Sequence, residues 1–431
     1  MTGAGRHPEI ATSRAPLAYH QPIAPYDAFG AAGMGDQQLS NDLLVQNVRP
    51  LGGDLADILI VAGRIAHGPT PAGVPILNGG GRIALPGLVE AHTHLDKSLL
   101  GLPWYRNEVG PRLIDKIENE RTARKTLPID PRQQSERQAL LSVSHGSTYI
   151  RSHVDVDLEC GVAGIEGVMA TREALADCVD IDLVAFPQSG LLVRPGTVEL
   201  LEQALRLGAE TVGGLDPCAI DRDPKGHVDT VFGLADKFGC GVDIHLHEPG
   251  EMGAFSTELI IERTVALGMQ GKVMISHAFC LGMTDAKVVE PLLAALAEAR
   301  IAIMTTASAA RTVPPLKRLM QAGVVLCAGS DGIRDTWGPY GNADMLERAM
   351  FVGQRYNLRR DDELALALDA VTTSGAQALG LERYGLTPGC GGDLVLVQAE
   401  TIAEAVAQRP GSRTVVKRGR VVAREGVLEA R

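Results

Sequence analysis

Two histidines separated by one residue, His92 and His94, close the apolar run LVEAHTHL (88–95). In an extended strand, side chains two residues apart share a face, so both imidazoles point the same way and offer half of a divalent-metal site. His245, His277 and Asp331 each fall at the end of a comparable run. Imidazoles and one carboxylate suit Zn²⁺ first, with Fe²⁺ and Mn²⁺ admitted by the same donors, and leave one position for water. A bound cation brings the pKa of such water towards 7. Glu248, three residues beyond His245, can take that proton and return it to a leaving nitrogen. His277 is read as a partner for the developing oxyanion rather than as a further ligand. An isolated His-x-His pair could equally be one capping and one buried histidine; recurrence at other run ends favours the metal.

These residues need elements that bring distant positions together. Between about 87 and 385, strand-like runs alternate with stretches at helical spacing such as VELLEQALRLG (198–208) and TELIIERTVALG (257–268). After LVEAHTHL the runs are STYIRSHVDV (147–156), DLVAFPQSG (182–190), ETVGGLDP (210–217), GVDIHLHE (241–248), KVMISHAF (272–279), IAIMTTAS (301–308) and VVLCAGSDG (324–332). Eight such alternations predict a parallel (β/α)8 TIM barrel, with an open doubly wound sheet as the runner-up. Nearly every run ends in polar residues, and in a barrel those ends open on one face. Short β-type runs also cluster at 40–86 and 386–431, and are expected to pair into a small β domain flanking the barrel.

Aromatics make up only 4% of the 431 residues and the net charge is −11. Both argue against a nucleic-acid surface, which needs stacking rings and cationic stripes. The seven cysteines are dispersed, with no CxxC pair for a zinc ribbon or dithiol, and read as reduced thiols. Residues 1–39 are rich in Gly, Ala and Pro and read as a flexible tail without the apolar core of a signal peptide or membrane anchor. No membrane partner and a cytoplasmic location are therefore expected.

The segments AHTHLDKS, RSHVDVD, VAFPQSG, HLHE, SHAF and GSDGIRDTWGPYGNADM resemble, in order, the cytosine deaminase branch of the amidohydrolase superfamily. Within it they are most similar to enzymes that remove an alkylamine from a triazine ring. The resemblance spans about residues 43–430. It implies a mononuclear barrel site flanked by a small β-sandwich, with His92, His94, His245 and Asp331 as ligands. It further implies Glu248 as proton shuttle, His277 as the group that polarises the attacked carbon, and Gln188 as a hydrogen-bonding partner of the heterocycle. Three positions depart from one or other relative. Cytosine deaminases carry a second aspartate, reading a ring nitrogen, where this chain has Gly332; Lys97 is a lysine as in the triazine enzymes, where cytosine deaminases have threonine; and the triazine enzymes have aspartate at the Glu248 position. No lysine closes the fourth run (Leu215-Asp216-Pro217), which argues against the carboxylated lysine of two-metal relatives. On assembly only the resemblance speaks, and it points to a homo-oligomer.

Around this centre each residue has two readings. Lys97 either bridges to Asp96 or Glu90 or contacts substrate. Asp216 is either a turn residue before Pro217 or a substrate acceptor. Trp337, in the loop with Asp335 and Tyr340, walls the pocket or packs beneath the loop. His153 and Asp155 read as partners orienting the ligands, and His247 as a similar partner or a substrate contact. A nucleophilic cysteine is not needed. The function expected is hydrolytic removal of an amino or alkylamino group from a small N-heterocycle, with water as co-substrate. The alternatives are cleavage of a cyclic or linear amide, which releases no amine when a ring opens, and a non-catalytic metal-bearing binding protein.

Overall fold

The computed structural model describes residues 41–430; the expected tail, 1–39, lies outside them. Five short strands open the chain: β1 (Leu43–Pro50), β2 (Ala56–Val61), β3 (Arg64–Ala66), β4 (Ile76–Asn78) and β5 (Ile83–Pro86). Eight further strands carry the predicted runs: β6 (Leu88–Thr93), β7 (Ser147–Asp155), β8 (Asp180–Phe186), β9 (Thr211–Leu215), β10 (Gly241–His245), β11 (Val273–Ser276), β12 (Ala302–Thr305) and β13 (Leu326–Ala328). Four more end it: β14 (Leu394–Val397), β15 (Arg413–Lys417), β16 (Arg420–Arg424) and β17 (Val427–Leu428).

Strands β6 to β13 pair in sequence order, all parallel, with helices between them. The ends meet through a parallel bridge between Thr93 and Asp331, and the Asp331 N–H donates to the carbonyl of His92 at 2.9 Å. Gly329 makes this closure feasible: a Cβ there would lie 2.6 Å from both the Cβ and the carbonyl oxygen of His92. The result is a (β/α)8 barrel, as expected, and its closure excludes the open sheet. Apolar residues of strands and helices form one continuous core, from Leu88 and Ile150 through Val231, Ile244 and Leu293 to Leu346.

The terminal strands flank the barrel. Their two halves join where β5 pairs antiparallel with β14, Ile83 opposite Val397 and Leu85 opposite Val395. β1 is shared: its first half pairs with β2 and β4, its second with β5, across an irregularity between Val45 and Val48. The β2–β3, β15–β16 and β16–β17 hairpins turn on Ala62-Gly63, Arg418-Gly419 and Glu425-Gly426, each with both φ positive, the mirror-image turn that suits strand twist. Lys417 ties this sheet to the barrel. Its fully buried ammonium reaches Asp393 (2.6 Å), Asp180 (2.8 Å) and the carbonyl of Thr148.

Candidate metal centre and active site

His92 lies on β6 and His94 one residue past its end; His245 is the last residue of β10, and Asp331 sits beyond β13 in a left-handed turn, φ 64°. One donor atom from each of the four lies within 4.8 Å of the others. Asp331 Oδ1 is 3.2 Å from His94 Nε2 and 3.7 Å from His92 Nε2. His92 Nε2 and both ring nitrogens of His245 are buried without a hydrogen-bond partner. Native structures rarely orphan buried polar atoms, and orphaned lone pairs converging beside a carboxylate fit a divalent cation.

Protonation states agree with that fit. Burial, reinforced by Lys97, lowers His94 to about 4, and burial among the other imidazoles pushes His245 well below its ordinary value. Both rings are neutral at pH 7 and can donate lone pairs. Burial would raise Asp331, but the imidazoles of His92 and His94 close beside it outweigh burial and hold the carboxyl well below the usual carboxylate range.

A polar column inside the barrel supports the first ligand. His92 Nδ1 is 3.0 Å from Ser276 Oγ, whose hydroxyl donates to Asp243 Oδ1 at 2.7 Å. A carboxylate can only accept, so the serine proton is committed to Asp243 and its oxygen accepts from His92 Nδ1–H. That fixes the tautomer with a bare Nε2. The other oxygen of Asp243 faces His153 Nε2 (3.4 Å) and Arg151 (3.6 Å), and Arg151 continues to Asp182. Neither Asp243 nor Ser276 stood out in the sequence, although Asp243 is two residues before His245 and so shares its strand face. Glu90 accepts the N–H of His92 and of Ser330, pinning the strand of His92 to the loop of Asp331.

His277 adopts a left-handed backbone (φ 71°) just past β11, with its buried Nε2 unpaired and 3.9 Å from Asp331 Oδ2. Its ring stacks on His247 at 4.3 Å. Asp216, itself at φ 37°, gives both oxygens to His247: Oδ1 accepts the backbone N–H at 2.6 Å and Oδ2 faces Nδ1 at 2.8 Å. Burial opposes a charge on His247, but Asp216 prevails and raises it. Glu248 does not touch the histidine cluster. One oxygen accepts the N–H groups of Cys218 (2.7 Å) and Ala219 (2.8 Å), the other the hydroxyl of Ser256 at 2.5 Å. Burial raises its pKa.

Lys97 corrects the sequence expectation about its partners. Neither Asp96 nor Glu90 receives it: the buried ammonium contacts Gln188 Oε1 (2.6 Å), Asp155 (3.2 Å) and Glu120. The side chain reaches across to the ends of β7 and β8, while Asp96 pairs with Arg124. Glu120 and Arg124, from the helix Leu113–Ala123 and its end, escaped the sequence reading because that helix is an additional one in the long connection between β6 and β7. Trp337 hydrogen-bonds Glu120 through Nε1, lies over Lys97 and packs with Ile117, Phe186 and Leu215. Phe186 stacks on His245 at 4.0 Å, so one side of the centre is apolar. A separate cavity of about 330 Å³, lined by Tyr149, Arg151, Asp182 and Lys272, opens at the opposite ends of the strands and contains none of the four proposed ligands.

Residues 135–423 match the amidohydrolase family, and the chain belongs to it. It is 31% identical over 364 residues to N-isopropylammelide isopropyl amidohydrolase of Pseudomonas sp. (strain ADP), covering 81% of this chain and 88% of that one. Among solved structures, N-isopropylammelide isopropylaminohydrolase from Burkholderia multivorans superposes with a TM-score of 0.87 at 52% identity, over 90% of this chain and all of that one. The 5-methylcytosine deaminase from Klebsiella pneumoniae, liganded with 5-fluorocytosine, superposes with a TM-score of 0.78 at 27% identity, over 90% and 99% of the two chains. The protein is therefore a hydrolase of the amidohydrolase type. No helix among its described residues is long and apolar enough to cross a membrane.

Proposed function

We propose that the protein hydrolyses the bond between a ring carbon and an exocyclic nitrogen of a small N-heterocycle, an aminotriazine or aminopyrimidine, releasing ammonia or an alkylamine. The observation that carries this reading is the convergence of His92, His94, His245 and Asp331, with unpaired imidazole nitrogens beside an ionised carboxylate, in a chain similar to enzymes named for such substrates. These four residues would hold one divalent ion, Zn²⁺ before Fe²⁺ or Mn²⁺. Bound there, it would supply Lewis acidity and bring the pKa of water towards neutrality.

His277, neutral through burial, would polarise the attacked group and steady the oxyanion that develops on attack. The apolar wall of Phe186 and Trp337 receives the ring face, and Gln188, fixed by Lys97, meets its edge. Glu248 would carry the proton from water to the leaving nitrogen, its raised pKa suiting a group that must both take and give. In that role its carboxyl exchanges the Cys218 and Ala219 amides for the reacting atoms. One contact favours a second carrier: His247 is oriented by Asp216 and stacked directly on His277.

The test pairs metal content with amine release from aminopyrimidines and aminotriazines, for wild type and His245→Ala. One equivalent of metal, lost in the variant, with amine released by wild type, is expected. Metal without amine release would move the reading to amide cleavage, and absence of metal after chelator-free purification would overturn it.

A further inference from the structure

Within nine residues after β13 the chain supplies Asp331 to the centre and Trp337 to the pocket wall. Between them stands Asp335, 6% exposed and without a role so far. Its Oδ1 accepts the backbone N–H of Trp337 (2.8 Å) and Gly338 (3.0 Å), which holds the turn. Its Oδ2 lies over Gly332, where a Cβ would sit only 1.9 Å away. Gly332 does not have the positive φ that would call for glycine; the carboxylate occupying its side-chain volume does. The space beside a proposed ligand, which a residue at 332 would fill, is thus filled from three residues further on.

Lys97 is committed to Asp155, Glu120 and Gln188 and acts on Asp335 only at longer range, while Glu120 and Asp331 repel it. Burial is the main influence and pushes the carboxyl up to about 7. A buried carboxyl among like charges costs stability, and such groups concentrate where function needs them. Gln188 complements it. An ammonium only donates, so the amide oxygen must face Lys97, leaving Nε2–H to donate to the pocket.

We propose that Asp335 Oδ2 accepts a ring N–H of the substrate, in place of the side chain that Gly332 lacks, and so selects azines in the lactam form, with C=O beside N–H. This deepens the heterocycle reading above and rests on it. The experiment measures calorimetric binding of cyanuric acid, which presents only C=O and N–H edges, and of trimethyl isocyanurate, which has no N–H, to metal-loaded protein. Asp335→Asn keeps the Oδ1 turn bonds but turns an NH₂ towards the ring. Wild type should bind cyanuric acid and not the methylated ring, and Asp335→Asn should weaken binding about tenfold to hundredfold, the loss of one hydrogen bond to a charged group plus an unpaired donor. Gly332→Ala should cause a similar loss in wild type and none in an Asp335→Ala background. Equal affinity of wild type and Asp335→Asn, equal binding of the two rings, or no binding by wild type would overturn the inference. Amine release is measured separately, so an active enzyme indifferent to Asp335 refutes this proposal alone.

Discussion

Replacing Asp243 by asparagine should weaken metal binding although Asp243 is not a proposed ligand. Arg151, 3.6 Å from Asp243 Oδ2, can only donate, so an asparagine must turn its oxygen towards Arg151 and its NH₂ towards Ser276. The Ser276 hydroxyl, which now donates to Asp243, would accept instead and give its proton to His92 Nδ1. His92 would then be held in the opposite tautomer, with Nε2–H facing the other ligands. Restoring the ligating tautomer requires both hydrogen bonds to be remade in an unfavourable sense, about 2–3 kcal/mol at roughly 1 kcal/mol or slightly more per bond. That corresponds to about 30- to 150-fold in metal Kd. Ser276→Ala removes the tautomer bias without imposing the wrong one, and should cost about tenfold, the low end for partners of metal ligands. Chelator competition gives the Kd values, and melting of the metal-free proteins separates affinity from folding. Asp243→Asn within about threefold of wild type, or Ser276→Ala losing as much as Asp243→Asn, would refute the tautomer argument.

The proton carrier is tested by Glu248→Gln and His247→Asn: the true carrier should lose about 10²- to 10⁴-fold in kcat with metal content unchanged, and equal modest losses would leave neither in the role. Lys417→Met should destabilise the protein by about 2–3 kcal/mol, less than the 3–5 typical of broken buried pairs because Asp180 and Asp393 keep partial exposure; an unchanged melting temperature would deny that Lys417 ties the flanking sheet to the barrel. Asp335 should also leave a pH signature. Its folded pKa, about 7, stands above the ordinary 3.8, so the folded state holds the extra proton; the contribution to stability is fully present below about pH 4 and is lost as pH rises to about 7. Metal-free Asp335→Asn should therefore gain on wild type between about pH 5 and pH 8, by about 1–3 kcal/mol, and a pH-independent difference in melting would count against it.

The barrel was legible because its signal is repeated: each of the eight strands lies within or overlaps the run that predicted it, and polar strand ends follow from parallel topology. The same repetition drew attention to His92, His94, His245 and Asp331, which all fall at run ends, although Asp331 stands in a turn beyond β13 that strand periodicity does not orient. The partners of Lys97 were not, because Glu120 comes from a helix outside the strand–helix rhythm and Gln188 from another loop, and only folded distances select among nearby carboxylates. Asp243 and Ser276 were hidden differently. An aspartate two residues before a histidine is common, and its meaning appears only when a hydroxyl from the next strand bridges it to an imidazole on a third.

These two kinds of residue set different constraints on chemistry. The proposed ligands and their supports sit on or immediately after strands, where backbone register positions them; Gly329 and the Thr93–Asp331 bridge lock even the loop-borne aspartate to β6. The residues proposed to face a ring come from turns: Gln188 after β8, held by Lys97 from beyond β6, and Asp335 and Trp337 after β13. A turn can deliver a carboxylate to one volume from more than one sequence position, as Asp335 does over Gly332, without disturbing the barrel. Strand register therefore positions the proposed hydrolytic centre, while turns position the proposed ring contacts. At position 332 the question is which atom fills the space, and the atom there is a carboxylate oxygen of Asp335.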